Sequence, residues 1–301
     1  MTDTLAVDGT YRDPLWGVTV VLTPVERELL RCWWVRRLQF VVHAGAAAAV
    51  TTQSYSRLEH SLGVLALTAH VAPDDHAARA WALLHDIGHL PLSHTAEGLS
   101  GLDHHELGRR RRAELRPVLG RHGTVPVERR RPGLMTLDHL DSYARSARVR
   151  GRAVDPAELL AGCSWIDGAV TCDAATADVL SGLVVDEAWS QSSPANVVAT
   201  GLVRNWAAAV VDGPGVPGMT DDEFWALLLS HPATREPVAE FRRDPGAWTV
   251  VDAPAPGAVL HRTTRLYLDP PEVDGRPWPL GGELPPVPAD RWIVRRGRLT
   301  G

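Results

Sequence analysis

His85-Asp86-Ile87-Gly88-His89-Leu90-Pro91-Leu92-Ser93-His94-Thr95-Ala96-Glu97 follows directly on the apolar run Ala80-Trp81-Ala82-Leu83-Leu84. Three imidazoles and two carboxylates thus continue a segment that belongs in a core. Burying unpaired charge is costly, and a divalent cation is the simplest compensation. On a helix, the neighbours His85 and Asp86 point about 100° apart and reach one ion from adjacent corners. His89 lies at i+4 from His85, on the same face. Pro91 turns or ends that helix, so His94 and Glu97 come back from the following segment. Five ionisable side chains at this density mark a functional site rather than scattered histidines.

Two further segments belong with it. Upstream stands Arg57-Leu58-Glu59-His60-Ser61-Leu62-Gly63-Val64, and downstream Leu137-Asp138-His139-Leu140-Asp141-Ser142-Tyr143-Ala144-Arg145. With His85-Asp86 they resemble the signature of the HD-domain metal-dependent phosphohydrolases: a His, the His-Asp doublet, then a distant Asp. Within that superfamily the motifs are most similar to the deoxynucleoside triphosphate triphosphohydrolase (dGTPase-like) branch, over residues 13 to 250. The resemblance implies a mainly α fold, a helical bundle around a metal site whose ligands are His60, His85, Asp86 and Asp138. It implies that His89, His94 and His105, with His104 as a rival for the last, serve the scissile phosphate or the leaving group. Glu97 then orients one of those imidazoles, and Arg57, one turn before His60, is the phosphate clamp.

The chain also departs from that branch where substrate is read. The branch has Gln-Leu-Gly, reading the deoxyribose, where this chain has His43-Ala44-Gly45. It has Lys after the last ligand Asp, Tyr four residues on from that Asp and an acid after the Arg, where His139, Ser142 and Ser146 stand here. Its Arg, His, Tyr and His that grip base and phosphates align with Gln191, Ala195, Ala199 and Gly201. Asp138, Ser142 and Arg145 fall at i, i+4 and i+7, so an Asp138 aimed at the metal brings Ser142 and Arg145 to the same cavity. His43, His139, Ser142, Arg145 and Arg57 are therefore the expected substrate contacts.

Composition bounds the rest. The 301 residues are 45% hydrophobic, enough for one large or two modest domains. The division expected is a core over 1–212 and a C-terminal helix with a small β-containing region over 213–301. A net charge of −5 gives no reason to expect nucleic acid. Every one of the 31 basic residues is Arg, which excludes chemistry needing a catalytic lysine. Cys32, Cys163 and Cys172 make neither a disulfide framework nor a zinc motif. A polar N-terminus without a signal peptide, and no apolar run near twenty residues, predict a cytoplasmic protein with no membrane partner. A simple homodimer is expected.

Locally, residues 14–23 read as one short β element. Thr23-Pro24-Val25-Glu26 starts a helix that carries Leu29, Leu30, Trp33 and Trp34. Residues 46–56 read as a loop over the site, residues 57–70 and 135–149 as helices, and Arg109–Arg112 as a solvated helix face. Residues 213–218 read as a linker, and Thr220-Asp-Asp-Glu223 as a helix cap. From Trp248 the pattern turns to β runs (248–251 and 259–268), a small appendage in which Arg262, Arg265 and Tyr267 read as an exposed basic strand.

Two imidazoles and two carboxylates suit Mn, Fe, Ni or Zn, and Mg less well. Such an ion polarises a phosphoryl group and lowers the pKa of an attacking water. The expected function is hydrolysis of a phosphate ester or anhydride of a nucleotide, including a modified one. The alternatives are a phosphomonoesterase on a non-nucleotide metabolite, or a di-iron oxygenase or non-catalytic nucleotide-binding use of the site.

Overall fold

In the computed structural model, which describes residues 9–213 and 215–296, the chain begins with a hairpin. Strands Thr10–Arg12 (β1) and Thr19–Val21 (β2) pair antiparallel. The single element expected over 14–23 is therefore one strand of a pair, because the buried Asp13 carboxylate turns the chain by accepting from the Leu15 and Trp16 N–H groups. The polar first residues lie outside the described part.

Thr23 caps Pro24–Leu29 (α1) reciprocally with Glu26. The helix expected to run on breaks after Leu29, and Trp33–Arg36 (α2) leads through a 3-10 turn that buries Arg37 completely. Ser56 caps Arg57–Val71 (α3), in which every residue from Arg57 to Thr68 except Glu59 is buried. A helix covered on all sides is the centre of its fold. Asp75 caps His76–Leu84 (α4), and Asp103 caps His104–Glu114 (α5), followed by Arg116–Arg121 (α6). Thr136 caps Leu137–Val149 (α7). Beyond Pro156–Gly162 (α8), Cys163–Ile166 (β3) and Ala169–Cys172 (β4) form a second hairpin. Then come Ala174–Gln191 (α9), Pro194–Ala207 (α10), Asp221–Ser230 (α11) and Arg235–Arg243 (α12). The C-terminal region holds Trp248–Val251 (β5), Val259–Thr263 (β6), Glu272–Val273 (β7), Arg276–Pro277 (β8) and Ala289–Arg295 (β9).

The fold is mainly α, with β elements at its two ends and the β3–β4 hairpin between α8 and α9. α4 and α7 pack on α3, and α9 packs on α7. β9 lies between β5 and β6, and that sheet covers α10, while β7 pairs with β4. One apolar cluster gathers the N-terminal hairpin with α1, α3, α4, α7 and α9. A second joins Ala46, Leu90 and Leu92 to α10, α11, α12 and Ile293 of β9, so it crosses the division expected at residue 212.

The arginine run of α5 is not a uniform solvated face. Arg111 is buried and donates to the carbonyls of Ile87 and Pro217, and Arg112 stacks 4.7 Å over Trp81. Only Arg109 and Arg110 stay outside, sharing Glu106, because helix phase turns the run through more than half a circle. Residues 217–219 are likewise no free linker, since Arg37 holds the Gly218 and Met219 carbonyls. No helix among the described residues is long and apolar enough to cross a membrane.

Candidate metal centre

His60 on α3, His85 and Asp86 just after α4, and Asp138 on α7 come together. His60 Nε2 lies 2.9 Å from Asp138 Oδ1, 3.3 Å from His85 Nε2 and 3.9 Å from Asp86 Oδ2. His85 Nε2 lies 3.4 Å from Asp86 Oδ1 and 3.8 Å from Asp138 Oδ1. The tautomers follow from the other nitrogens. His60 Nδ1 meets the buried Asp141 carboxylate at 2.8 Å, and His85 Nδ1 meets the Ala82 carbonyl at 2.9 Å. Both Nδ1 atoms donate, so both Nε2 lone pairs aim at the point where two carboxylates also converge.

Donor atoms of His60, His85 and Asp86 lie within 4.8 Å of one another, with Asp138 beside the two imidazoles, and this donor set fits a divalent transition ion. Without one, protonation of His60 fills the role. Burial opposes that proton, but Asp138 and Asp141 outweigh it and lift the imidazole to about 9. Asp86 is held well below the carboxylate range against its burial, chiefly by Arg57, then His85 and His89.

Asp141, within the motif, carries no role that its sequence position alone reveals. It is fully buried, and its oxygens accept from Trp16 Nε1 (2.7 Å), His60 Nδ1 (2.8 Å) and Arg145. Arg145 is buried with it and also pairs with Asp13 and Glu59. The sequence places Arg145 at the substrate; the structure turns it away, because three carboxylates claim its guanidinium. Gly63 explains why the motif continues past His60. A Cβ there would overlap the Asp141 carboxylate and the Arg145 guanidinium, so only glycine lets α7 approach α3 this closely.

Arg57 is likewise committed. It donates to Asp86 Oδ2 (2.9 Å), Ser93 Oγ (2.9 Å) and the His43 carbonyl (3.2 Å), so it positions Asp86 and is not free to clamp phosphate. His43 stacks on Tyr55 and stands edge-on to His60, each at 4.8 Å between ring centres. Its Nδ1 meets the Tyr55 hydroxyl at 3.0 Å, and that hydroxyl meets Ser146 at 3.0 Å. Burial, then Arg57, keeps His43 neutral. His139 faces Asp269 at 3.4 Å, and Ser142 is half-buried on α7.

His89 does not share a helix face with His85. The helix stops at Leu84, and the His89 N–H closes a turn on the Asp86 carbonyl. A Cβ at Gly88 would strike the backbone of α5 at His104 and Gly108, so the turn packs directly on that helix. His89 instead reaches Asp86 from this turn, its Nε2 3.0 Å from the Oδ1 that His85 Nε2 approaches at 3.4 Å. There it meets His94 edge-on and stacks on His104, both at 4.6 Å. Burial, then Arg57, keeps His89 neutral, and its buried Nδ1 has no hydrogen-bond partner among the described residues. Glu97 accepts from the His104 N–H and lies 3.0 Å from His104 Nδ1 and 3.8 Å from His94 Nδ1. The member of the doublet in the site is thus His104, while His105 is exposed beside it; Asp103 caps α5 and sets that phase. Donor atoms of His94, Glu97 and His104 lie within 4.8 Å of one another.

The loop that carries His94 is held in place by neighbours. Leu92 and Ser93 both have φ 54°, a conformation that costs about 1–3 kcal/mol each. Asp221 at the start of α11 accepts from the Leu92 and Val42 N–H groups, and Arg57 holds Ser93.

Residues 57–129 match the HD domain family model, a span that takes in His60, His85, Asp86 and the histidine cluster. Over 89 residues the chain is 40% identical to the metal-dependent phosphohydrolase cns2 of Cordyceps militaris, a match covering 29% of this chain and 25% of that protein. Over 97 residues it is 34% identical to an uncharacterized protein of Methanocaldococcus jannaschii, covering 31% of this chain and 21% of that one. These matches thus span a quarter or less of the relatives' length. Among solved structures, a hypothetical protein from Aquifex aeolicus superposes with a TM-score of 0.67 at 18% identity, over 94% of this chain and 95% of that one. A phosphohydrolase from Bacteroides thetaiotaomicron gives 0.59 at 15% identity, over 82% and 80%. At those identities the likeness is one of fold.

Proposed function

We propose that this HD-domain chain is a metal-dependent phosphohydrolase that cleaves a phosphate ester or anhydride of a nucleotide. The observation that carries the reading is the convergence of two imidazole lone pairs and two carboxylates beside a cluster of three histidines. A divalent ion held by His60, His85, Asp86 and Asp138 would supply Lewis acidity to a phosphoryl oxygen and acidify a bound water. Asp141 and the Ala82 carbonyl keep the two ligand imidazoles in the binding tautomer. Arg57 fixes Asp86 in the orientation that faces both histidines.

His89, with its unpartnered Nδ1, accepts a proton from water or a hydroxyl at that atom. His94, half-exposed at the rim with Glu97 restraining the ring, is held below the ordinary imidazole pKa by burial, so it serves a departing oxygen as a hydrogen-bonding group. General acid–base help of this kind contributes about 10²–10⁴ in rate. The nucleotide as substrate rests on the likeness of the three motifs to the triphosphohydrolase branch, and the changed residues around His43 and His139 favour a modified nucleotide.

The test is phosphate release from nucleoside mono-, di- and triphosphates with Mn²⁺ or Fe²⁺, with Asp86→Ala as control. Release that disappears in the variant is the expected result. Asp86-dependent release from sugar phosphates but from no nucleotide would instead make the protein a phosphomonoesterase of another metabolite class.

A further inference from the structure

The phosphate-binding groups of such a site should be cationic, yet the guanidinia around this one are spent. Arg57 serves Asp86, Ser93 and the His43 carbonyl, and Arg145 serves three carboxylates. Arg204 serves the carbonyls of Thr95 and Glu97. The α10 wall offers no replacement: Ala199 is fully buried and Gly201 lies beneath His261 and Ile293 of the C-terminal sheet.

That same C-terminal region returns to the site between β6 and β7. Residues 264–270 form a strap tied to α7 and to the residues just before it. Leu266 is buried, the Tyr143 hydroxyl donates to the Tyr267 carbonyl at 3.2 Å, and the Met135 N–H donates to the Pro270 carbonyl at 2.8 Å. The Tyr267 ring stands 6.3 Å from that of His94 and 6.4 Å from that of His139, between the histidine cluster and the helix of Asp138. Arg265 lies over the Tyr267 ring at 4.8 Å, exposed, with no carboxylate partner among the described residues.

We propose that Arg265 is the phosphate clamp of this protein, held beside the histidine cluster and the helix of Asp138 by the ring of Tyr267. It binds the non-bridging oxygens of a phosphate chain outside the metal centre, in the bidentate manner of a guanidinium. A ring face beneath a guanidinium restrains it without neutralising it. The strap therefore supplies the charge that the α10 wall lacks. This rests on the phosphohydrolase reading of the same site.

Calorimetric binding of tripolyphosphate to the manganese-loaded protein tests the proposal without turnover, with kcat and KM measured alongside. Arg265→Ala is expected to weaken tripolyphosphate binding about 10- to 100-fold, the worth of a lost charge-assisted contact. It should raise KM for a phosphorylated substrate while leaving kcat within about threefold. Arg265→Lys should restore part of the binding, and Tyr267→Ala should weaken it where Tyr267→Phe does not. Arg262→Ala, whose guanidinium is already bidentate on Asp290, should match wild type. Tripolyphosphate binding at wild-type strength in Arg265→Ala, or none in the wild type, overturns the clamp. Asp86-dependent phosphate release indifferent to Arg265 would sink the clamp and leave the phosphohydrolase standing. Arg265-dependent binding with no release from any phosphate would do the reverse.

Discussion

Replacing Asp141 by Asn keeps the shape of the most buried group behind the metal centre and removes one acceptor and one charge. Asp141 Oδ1 accepts from Trp16 Nε1 (2.7 Å) and Arg145 (2.9 Å), and Oδ2 from His60 Nδ1 (2.8 Å) and Arg145 Nε (3.1 Å). An Asn amide has one acceptor side, so one pair of donors must face an NH₂ group. If the NH₂ takes the Oδ1 place, the buried Trp16 N–H is stranded, at a cost of about 1–3 kcal/mol. If it takes the Oδ2 place, His60 must move its proton to Nε2, the atom aimed at the ion. Arg145 keeps Asp13 and Glu59 in either case, so the loss stays below the 3–5 kcal/mol or so of an orphaned buried charge. We expect a stability loss of roughly 2 kcal/mol and metal affinity weaker by about 10–100-fold. Urea unfolding in chelator and in saturating Mn²⁺ reads both. The gain conferred by metal should shrink by about 1.4–2.7 kcal/mol, following the logarithm of the affinity ratio. An unchanged metal-dependent gain would refute the role given to Asp141.

Three other outcomes follow from the same contacts. Gly63→Ala, which in an ordinary helix interior would gain about 1 kcal/mol, should instead cost roughly 2 kcal/mol by overpacking against Asp141 and Arg145, measured by urea unfolding. His104→Ala, which removes the ring stacked on His89 and facing Glu97, should lower phosphate release about 10-fold or more, whereas His105→Ala, at the exposed neighbour, should stay within about threefold; equal effects would mean that His105 shares the site. Asp221 is lifted to about 6 by burial, against its backbone donors at Leu92 and Val42 and the charge of Arg37. A raised folded pKa means that the native state binds this proton more tightly, so its stabilisation is complete below about pH 4 and is lost as pH rises through 6. In chelator, wild type should lose about 2 kcal/mol more than Asp221→Asn between pH 4 and 7, read from unfolding midpoints; parallel profiles would contradict that linkage.

The helical character and the convergence of His60, His85, Asp86 and Asp138 could be anticipated because each lies in a short motif whose chemistry is local. What lay beyond reach depends on contacts distant in sequence or on helix phase. Asp141 and Asp138 look equivalent in Asp138-His139-Leu140-Asp141, and only the indole of Trp16, arriving from the N-terminal hairpin, shows which one lies behind His60. The choice between His104 and His105 turns on a single residue of phase at the start of α5, set by the Asp103 cap. Arg57 and Arg145 read as free cations because their partners, Ser93 and Asp13 among them, lie 36 and 132 residues away. The strap of Arg265 and Tyr267 could not be told from an exposed strand, since its return to α7 is fixed by Tyr143 and Met135 rather than by its own residues.

The most direct test of the metal centre is elemental analysis of the protein after loading with Mn²⁺ and desalting. About one ion per chain is expected in the wild type, and its loss in His85→Ala. No retained metal in the wild type, or full retention in the variant, would contradict it.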